Sequence, residues 1–333
     1  MELSARIYVA GHRGLVGSAL VRRLRNGGYN NVILRTHSEL DLTERQAVRK
    51  LLEGERPEYI FLAAAKVGGI LANSTQPAEF IGQNLMIQTN IIHEAHRIGV
   101  RRLLFLGSSC IYPKHAPQPM KEEHLLTGPL EFTNRPYSVA KIAGIEMCWA
   151  YNRQFRTRFL AVMPTNLFGP GDRYDLHDSH VVPALLRKMY EAKVEGAKEV
   201  IVWGSGTPRR EFLYSDDAAD ACVFLMNLPD DALEGIVVQD SMPPIVNVGC
   251  GKDITIRELA ELIADIVGFK GRLVFDLSKP DGTPRKLLDT SRLAALGWTP
   301  HTPLRDGLMK AYRDFSENVT KSARPTVVFT ELP

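Results

Sequence analysis

The chain has 333 residues, 44% hydrophobic and 24% charged, which suits a large α/β domain with or without a smaller lobe and excludes disordered and fibrous classes. Lys and Arg number 41 against 38 Asp and Glu, a net charge of +3 with the basic residues scattered, so no nucleic-acid partner is expected. No apolar run precedes Gly11 or approaches the roughly 20 residues of a membrane span, so neither a signal peptide nor a membrane partner is expected.

In chain order, Ile7 to Ala10 reads as a buried strand, Leu15 to Leu24 as a helix and Val32 to Leu34 as a second strand. Thr43-Glu44-Arg45-Gln46 has the spacing of a capping box at the start of another helix. Tyr59 to Leu62 is a third strand, followed by a long helix opening near Pro77, whose ring suits a first helical turn. Leu103 to Leu106 is a fourth strand, Pro136 opens the next helix, and Phe159 to Val162 is a fifth strand. Continuous apolar strands alternating with helices predict an α/β fold, a doubly wound parallel sheet of Rossmann type covered on both faces.

After about Pro164, Pro and Gly punctuate the chain. Helices are expected at Pro183 to Lys193, Asp216 to Leu228 and Ile256 to Val267, with brief strands near Val200 and Val274. The expected organisation is a dinucleotide-binding domain over residues 1–165 and a smaller mixed α/β lobe over 166–325, with room for the chain to cross between them. That lobe would close on the carboxyl edge of the sheet, where such sheets bind ligands. Four cysteines (Cys110, Cys148, Cys222, Cys250) lie far apart without metal-ligand spacing, so no metal site is expected and a reducing cytoplasm is the simplest compartment.

Gly11-His12-Arg13-Gly14-Leu15-Val16-Gly17 stands between the first strand and the first helix. Glycines there allow a tight turn and close backbone approach, and the helix N-terminus offers N–H groups to a pyrophosphate. An acidic residue at the end of the second strand would grip a ribose 2′-hydroxyl. This chain has Arg35 there instead, with Arg13 in the loop. Two guanidinium groups suit a 2′-phosphate, so NADPH is the expected cofactor.

Tyr137 and Lys141 stand four apart on the helix that Pro136 opens, hence on one face. A phenol of ordinary pKa, about 10, carries protons poorly at neutral pH, and the neighbouring ammonium is expected to draw it downward. Ser108, directly after the fourth strand, is placed to donate to a carbonyl bound beside the cofactor.

The glycine loop, the Ser108-Ser109 turn and Tyr137-x-x-x-Lys141 resemble the extended short-chain dehydrogenase/reductases. Finer strings, among them Ala63-Ala64-Ala65-Lys66-Val67-Gly68-Gly69-Ile70, Gly107-Ser108-Ser109-Cys110-Ile111-Tyr112-Pro113 and Asp281-Gly282-Thr283-Pro284-Arg285-Lys286, resemble the GDP-L-fucose synthases within that group. One departure is His37, where some relatives carry a further basic residue. The resemblance implies one site that epimerises carbons 3 and 5 of GDP-4-keto-6-deoxy-D-mannose and then reduces its carbon-4 ketone with NADPH. It implies Cys110 and His180 as the proton carriers of the epimerisations, and Leu106, Gly107, Pro164, Thr165, Asn166, Leu167 and His180 as further lining of the cofactor pocket. It also implies Lys188, Trp203, Arg210 and Asp281 as substrate contacts, and a homodimer. Rival expectations are an NAD-retaining 4-epimerase or 4,6-dehydratase, against which Arg13 and Arg35 speak, and a dinucleotide sensor without chemistry, against which Ser108, Tyr137 and Lys141 speak.

Overall fold

The computed structural model describes residues 1–175, 179–279 and 281–322; the expected lobe limit at 325 lies outside them. The first half alternates strand and helix: β1 (Ile7–Ala10), α1 (Leu15–Asn26), β2 (Val32–Ile33), α2 (Arg45–Glu55), β3 (Tyr59–Leu62), α3 (Ile70–Thr75), α4 (Pro77–Arg97), β4 (Arg102–Leu106), α5 (Arg135–Phe155) and β5 (Phe159–Pro164). Then come β6 (Asn166–Phe168), α6 (Val181–Glu195), β7 (Glu199–Trp203), β8 (Arg209–Tyr214), α7 (Ser215–Met226), α8 (Asp230–Val237), β9 (Ile245–Val248) and β10 (Asp253–Thr255). The chain closes with α9 (Ile256–Val267), β11 (Arg272–Asp276), β12 (Arg285–Lys286), α10 (Ser291–Ala295) and α11 (Leu304–Ser322).

Six parallel strands in the order β2-β1-β3-β4-β5-β9 form the main sheet. Successive side chains point to opposite faces, and both faces are apolar. Ile7, Val9, Tyr59, Phe61, Leu160 and Val162 pack on one side with α1 and α7. Tyr8, Ala10, Ile60, Leu62, Phe159 and Ala161 pack on the other with α4 and α5. Burying a side chain such as Phe61 to 0% exposure contributes roughly 1.5–3 kcal/mol, so these two layers hold the sheet. The result is a doubly wound sheet of Rossmann type.

The chain crosses back: β9 supplies the sixth strand, and α7 and α8 cover the sheet although they follow β8. A third core, containing Leu185, Leu186, Val202, Phe212, Leu259 and Leu308, belongs to the smaller lobe. There β8 pairs with β6, β10 and β12, while β7 and β11 form a separate pair.

The expected capping box at Thr43 does not form. Thr43 Oγ1 donates to Asp41 Oδ1 (2.7 Å), and Glu44 becomes the N-cap of α2 without a side-chain bond. Asp41, two residues earlier, offers the hydroxyl a nearer, charged acceptor. A complete capping box is found instead at Thr255 and Glu258, opening α9.

Candidate active site

The glycine loop is shaped by what cannot fit in it. A Cβ on Gly11, whose φ is +83°, would lie 2.7 Å from the Ala64 backbone, and one on Gly17 would lie 2.0 Å from the Gly11 carbonyl oxygen. α1 therefore packs directly on the turn, with Gly14 as an N-cap that has no side chain to satisfy the first-turn N–H groups. His12 Nδ1 is buried with no hydrogen-bond partner. Unoccupied donors around bare backbone fit a pyrophosphate. At the end of β4, Gly107 is equally constrained, since its Cβ would lie 2.2 Å from Met163 Cε.

Arg13 is exposed on this loop. Arg35 donates to the Leu34 carbonyl (2.8 Å) and is ion-paired with Glu55 at the end of α2. The guanidinium is thus oriented with part of its fork still open. Burial, then the Arg13 charge, holds the His12 imidazole below its ordinary pKa. These groups fit the 2′-phosphate of NADPH.

Ser108 leaves β4 and opens a single 3-10 turn, its Oγ accepting from the Cys110 N–H (3.3 Å). Tyr137, in the first turn of α5, lies near Ser108 and meets the Phe80 ring edge-on at 6.2 Å. Cys110 is 7% exposed and lies close enough to interact electrostatically with Tyr137, Lys141 and Lys286. The geometry therefore gathers Ser108, Cys110, Tyr137 and Lys141 around one point at the carboxyl end of the sheet.

At Tyr137 the direction differs from the expected one: burial, then Cys110, raises the phenol pKa, with only Ser108 acting downward. Lys141 Nζ, 5.8 Å from the Tyr137 ring centroid, donates instead to the Leu106 carbonyl (2.7 Å). Burial pushes its own pKa down to about 8. Desolvation disfavours the charged form of both groups, raising the phenol and lowering the ammonium.

His180 is the N-cap of α6, and among the described residues no hydrogen bond links its ring to Ser108, Cys110, Tyr137 or Lys141. Its ring is open to solvent on one side, yet enough protein surrounds it that desolvation lowers its imidazole pKa. Farther along α6, Lys188 Nζ donates to the Ile201 carbonyl (3.3 Å) and stands 5.1 Å from the Trp203 ring, which is 56% exposed. Arg210 donates to the Asp281 carbonyl at 3.5 Å, and burial lowers its pKa. The Asp281 carboxylate accepts from the Ser205 N–H (2.7 Å) and hydroxyl (2.8 Å), bracing the turn after Trp203.

The lobe is joined to the cofactor side through Glu211. Its carboxylate, 0% exposed, accepts from the N–H groups of Cys250 (2.6 Å), Gly251 (2.7 Å) and Leu288 (3.0 Å). Its carbonyl accepts from Thr165 Oγ1 (3.2 Å) and Asn166 Nδ2 (2.8 Å). Sequence reasoning missed this residue, and it missed Lys286. β12 pairs with β8 so that Lys286 stands opposite Arg210, and desolvation lowers the lysine's pKa beside Cys110. It also missed Asn134, whose buried Oδ1 has no partner one turn before Tyr137. Only the position of Asn134 just ahead of Pro136 and Tyr137 was open to reading; Lys286 depends on a strand pairing across the lobe.

Residues 7–249 match the NAD dependent epimerase/dehydratase family. The chain is 59% identical over 321 residues to putative GDP-L-fucose synthase 2 of Arabidopsis thaliana, covering 96% of this chain and 94% of that one. It is 54% identical over 315 residues to GDP-L-fucose synthase of Escherichia coli K12, covering 94% and 97%. A crystal structure of a GDP-L-fucose synthetase from Naegleria fowleri bound to NADP superposes with a TM-score of 0.86 at 29% identity, covering 96% and 95%. The chain belongs to the NAD-dependent epimerase/dehydratase family and, within it, to the GDP-L-fucose synthases.

Proposed function

We propose that this chain converts GDP-4-keto-6-deoxy-D-mannose to GDP-L-fucose, epimerising carbons 3 and 5 and then reducing the carbon-4 ketone with NADPH. The observation that carries the reading is Tyr137 beside Ser108 at the carboxyl end of the main sheet, with Cys110 and Lys141 at the same point. NADPH supplies the hydride when bound. The residues that would hold it are Gly11 to Gly17, Arg13, Arg35, Leu106, Gly107, Lys141, Pro164 to Leu167 and His180.

Carbons 3 and 5 flank the ketone, so removing a proton from either sends charge to the same oxygen. Ser108 and Tyr137 donate to that oxygen and stabilise both enolates and the alkoxide of the reduction. Tyr137 gives its proton to the alkoxide as hydride arrives at carbon 4. Cys110 takes the ring proton from one face, and His180 returns one from the other. A lowered imidazole pKa makes the protonated ring a readier donor. Arg210 and Lys188 bind the diphosphate, Trp203 packs beside the nucleotide, and Asp281 holds the turn between them.

The test is to follow NADPH oxidation with the GDP-keto-sugar and with a UDP-hexose. One NADPH consumed per GDP-sugar supports the reading; interconversion of a UDP-sugar without net oxidation refutes it. Two further proposals belong with it. Exposed Met86 on α4 and exposed Val139 and Phe155 on the neighbouring α5 support a homodimer, which sedimentation would weigh. Four free cysteines suit the reducing cytoplasm, and among the described residues no helix is long and apolar enough to cross a membrane.

A further inference from the structure

Helix α6 carries His180 at its N-terminus and Lys188 within it, so its placement decides whether either side chain reaches the sugar. Tyr174, in the loop that leads to α6, is tied to two helices at once. Its carbonyl accepts from Arg187 Nη1 of α6 (2.9 Å), and its hydroxyl donates to the Ala311 carbonyl of α11 (3.2 Å). Its ring lies 4.5 Å, centroid to centroid, from that of Phe315. Phe315 in turn meets Tyr190 of α6 edge-on at 5.4 Å, and Tyr190 faces Tyr312 at 6.4 Å. Just before Tyr174, the Gly171 N–H donates to Asp314 Oδ2 (2.9 Å). Phe315 is only 5% exposed, so the rings form a packed joint and not a surface contact.

We propose that Tyr174 and Phe315 form a clasp through which the C-terminal helix α11 positions α6, presenting His180 to the sugar ring and Lys188 to the diphosphate. The clasp rests on the reading of His180 given above. Tyr174, Tyr190 and Tyr312 pack against the core of the smaller lobe, while the glycine loop and Tyr137 stand on the main sheet. Loosening the clasp therefore acts chiefly on epimerisation, because His180 is one of many residues that would hold NADPH and most of the others stand on or beside the main sheet. Tyr174 and Phe315 are positioning residues: they touch α6, and α6 touches the substrate.

The experiment uses the full chain with Phe315→Leu and Tyr174→Leu, which keep apolar bulk, and Tyr174→Phe, which keeps the ring. Inverting wash-in, deuterium that arrives at carbons 3 and 5 of the GDP-keto-sugar together with inversion of configuration, is followed by NMR in D₂O, and NADPH affinity by fluorescence titration. Both leucine variants are expected to lose wash-in by about ten- to a hundredfold, the cost of a misplaced catalytic group, while NADPH affinity stays within about twofold. Tyr174→Phe should stay close to wild type. Wild-type wash-in in both leucine variants overturns the clasp, and so does a parallel loss of wash-in and NADPH affinity, the mark of general loosening. His180→Gln separates the two ideas. If it retains wash-in, the role of His180 fails and the clasp with it; if it loses wash-in while the leucine variants keep it, the clasp alone fails.

Discussion

The cofactor loop and the substrate pocket of this chain are built in opposite ways. The loop is a local object: Gly11, Gly14 and Gly17 stand within seven residues, and the close approaches that require Gly11 and Gly17 involve the loop itself and the residues just after β3. The substrate pocket is a distant assembly. Arg210 comes from β8, Lys286 from β12 and Cys110 from the turn after β4, brought together by the pairing of β12 with β8 and braced by the Glu211 carboxylate, while the proposed contact Lys188 comes from α6. A local site resists change anywhere but in its own few residues, whereas an assembled one is sensitive to every element that aims it.

The largest effect expected is at the point where the two halves meet. Tyr137→Phe should lower the rate of NADPH oxidation by about 10²- to 10⁴-fold, the usual contribution of a positioned proton donor, without weakening NADPH binding. Stopped-flow and titration together decide it, and a variant keeping more than about a tenth of the rate would remove Tyr137 from the role. Arg35→Ala confines damage to the cofactor side. Loss of a charge-assisted phosphate contact, about 1.5–3 kcal/mol, should cut kcat/KM for NADPH while leaving that for NADH nearly unchanged. Equal losses for both cofactors would contradict the assignment. Lys286→Met probes the other side and should raise the KM for the GDP-sugar about tenfold, a loss of roughly 1.4 kcal/mol, with the KM for NADPH unmoved. If NADPH binding falls instead, the division drawn between the two halves is wrong.

The smallest effect concerns stability. Asp172, in the loop before α6, is held by burial at a pKa of about 6, above the ordinary carboxylate range. The folded chain binds this proton more tightly than the unfolded one, so its contribution to stability is present below about pH 4 and lost as pH rises through about 6. Asp172→Asn should therefore gain on wild type across that window, by on the order of 1–2 kcal/mol at neutral pH. Urea unfolding of both forms at acid and neutral pH measures it; a gap that does not widen with pH would show that the carboxyl is not the cause.

Where function depends on neighbours in sequence, the residues could be read directly. The main-sheet strands carry apolar residues on both faces, the glycine spacing is confined to one loop, and Tyr137 with Lys141 is a single helical turn. Where it depends on competition between partners, sequence reading went astray. Thr43 has a capping partner at the right spacing but is taken by Asp41. Spacing names the candidates for a bond without ranking them. Lys286 and Glu211 were not legible at all, because their meaning lies in the pairing of β12 with β8 and in N–H groups dozens of residues away.

The central claim is that one pocket, with one oxyanion site, serves both epimerisations and the reduction. It is tested most directly by running the wild-type reaction in D₂O with unlabelled NADPH and assigning the product by NMR. The account predicts GDP-L-fucose carrying solvent deuterium at carbons 3 and 5 and cofactor-derived protium at carbon 4. A reduced sugar that has consumed NADPH but keeps its original configuration, without deuterium at either carbon, would contradict it and leave a simple 4-ketoreductase.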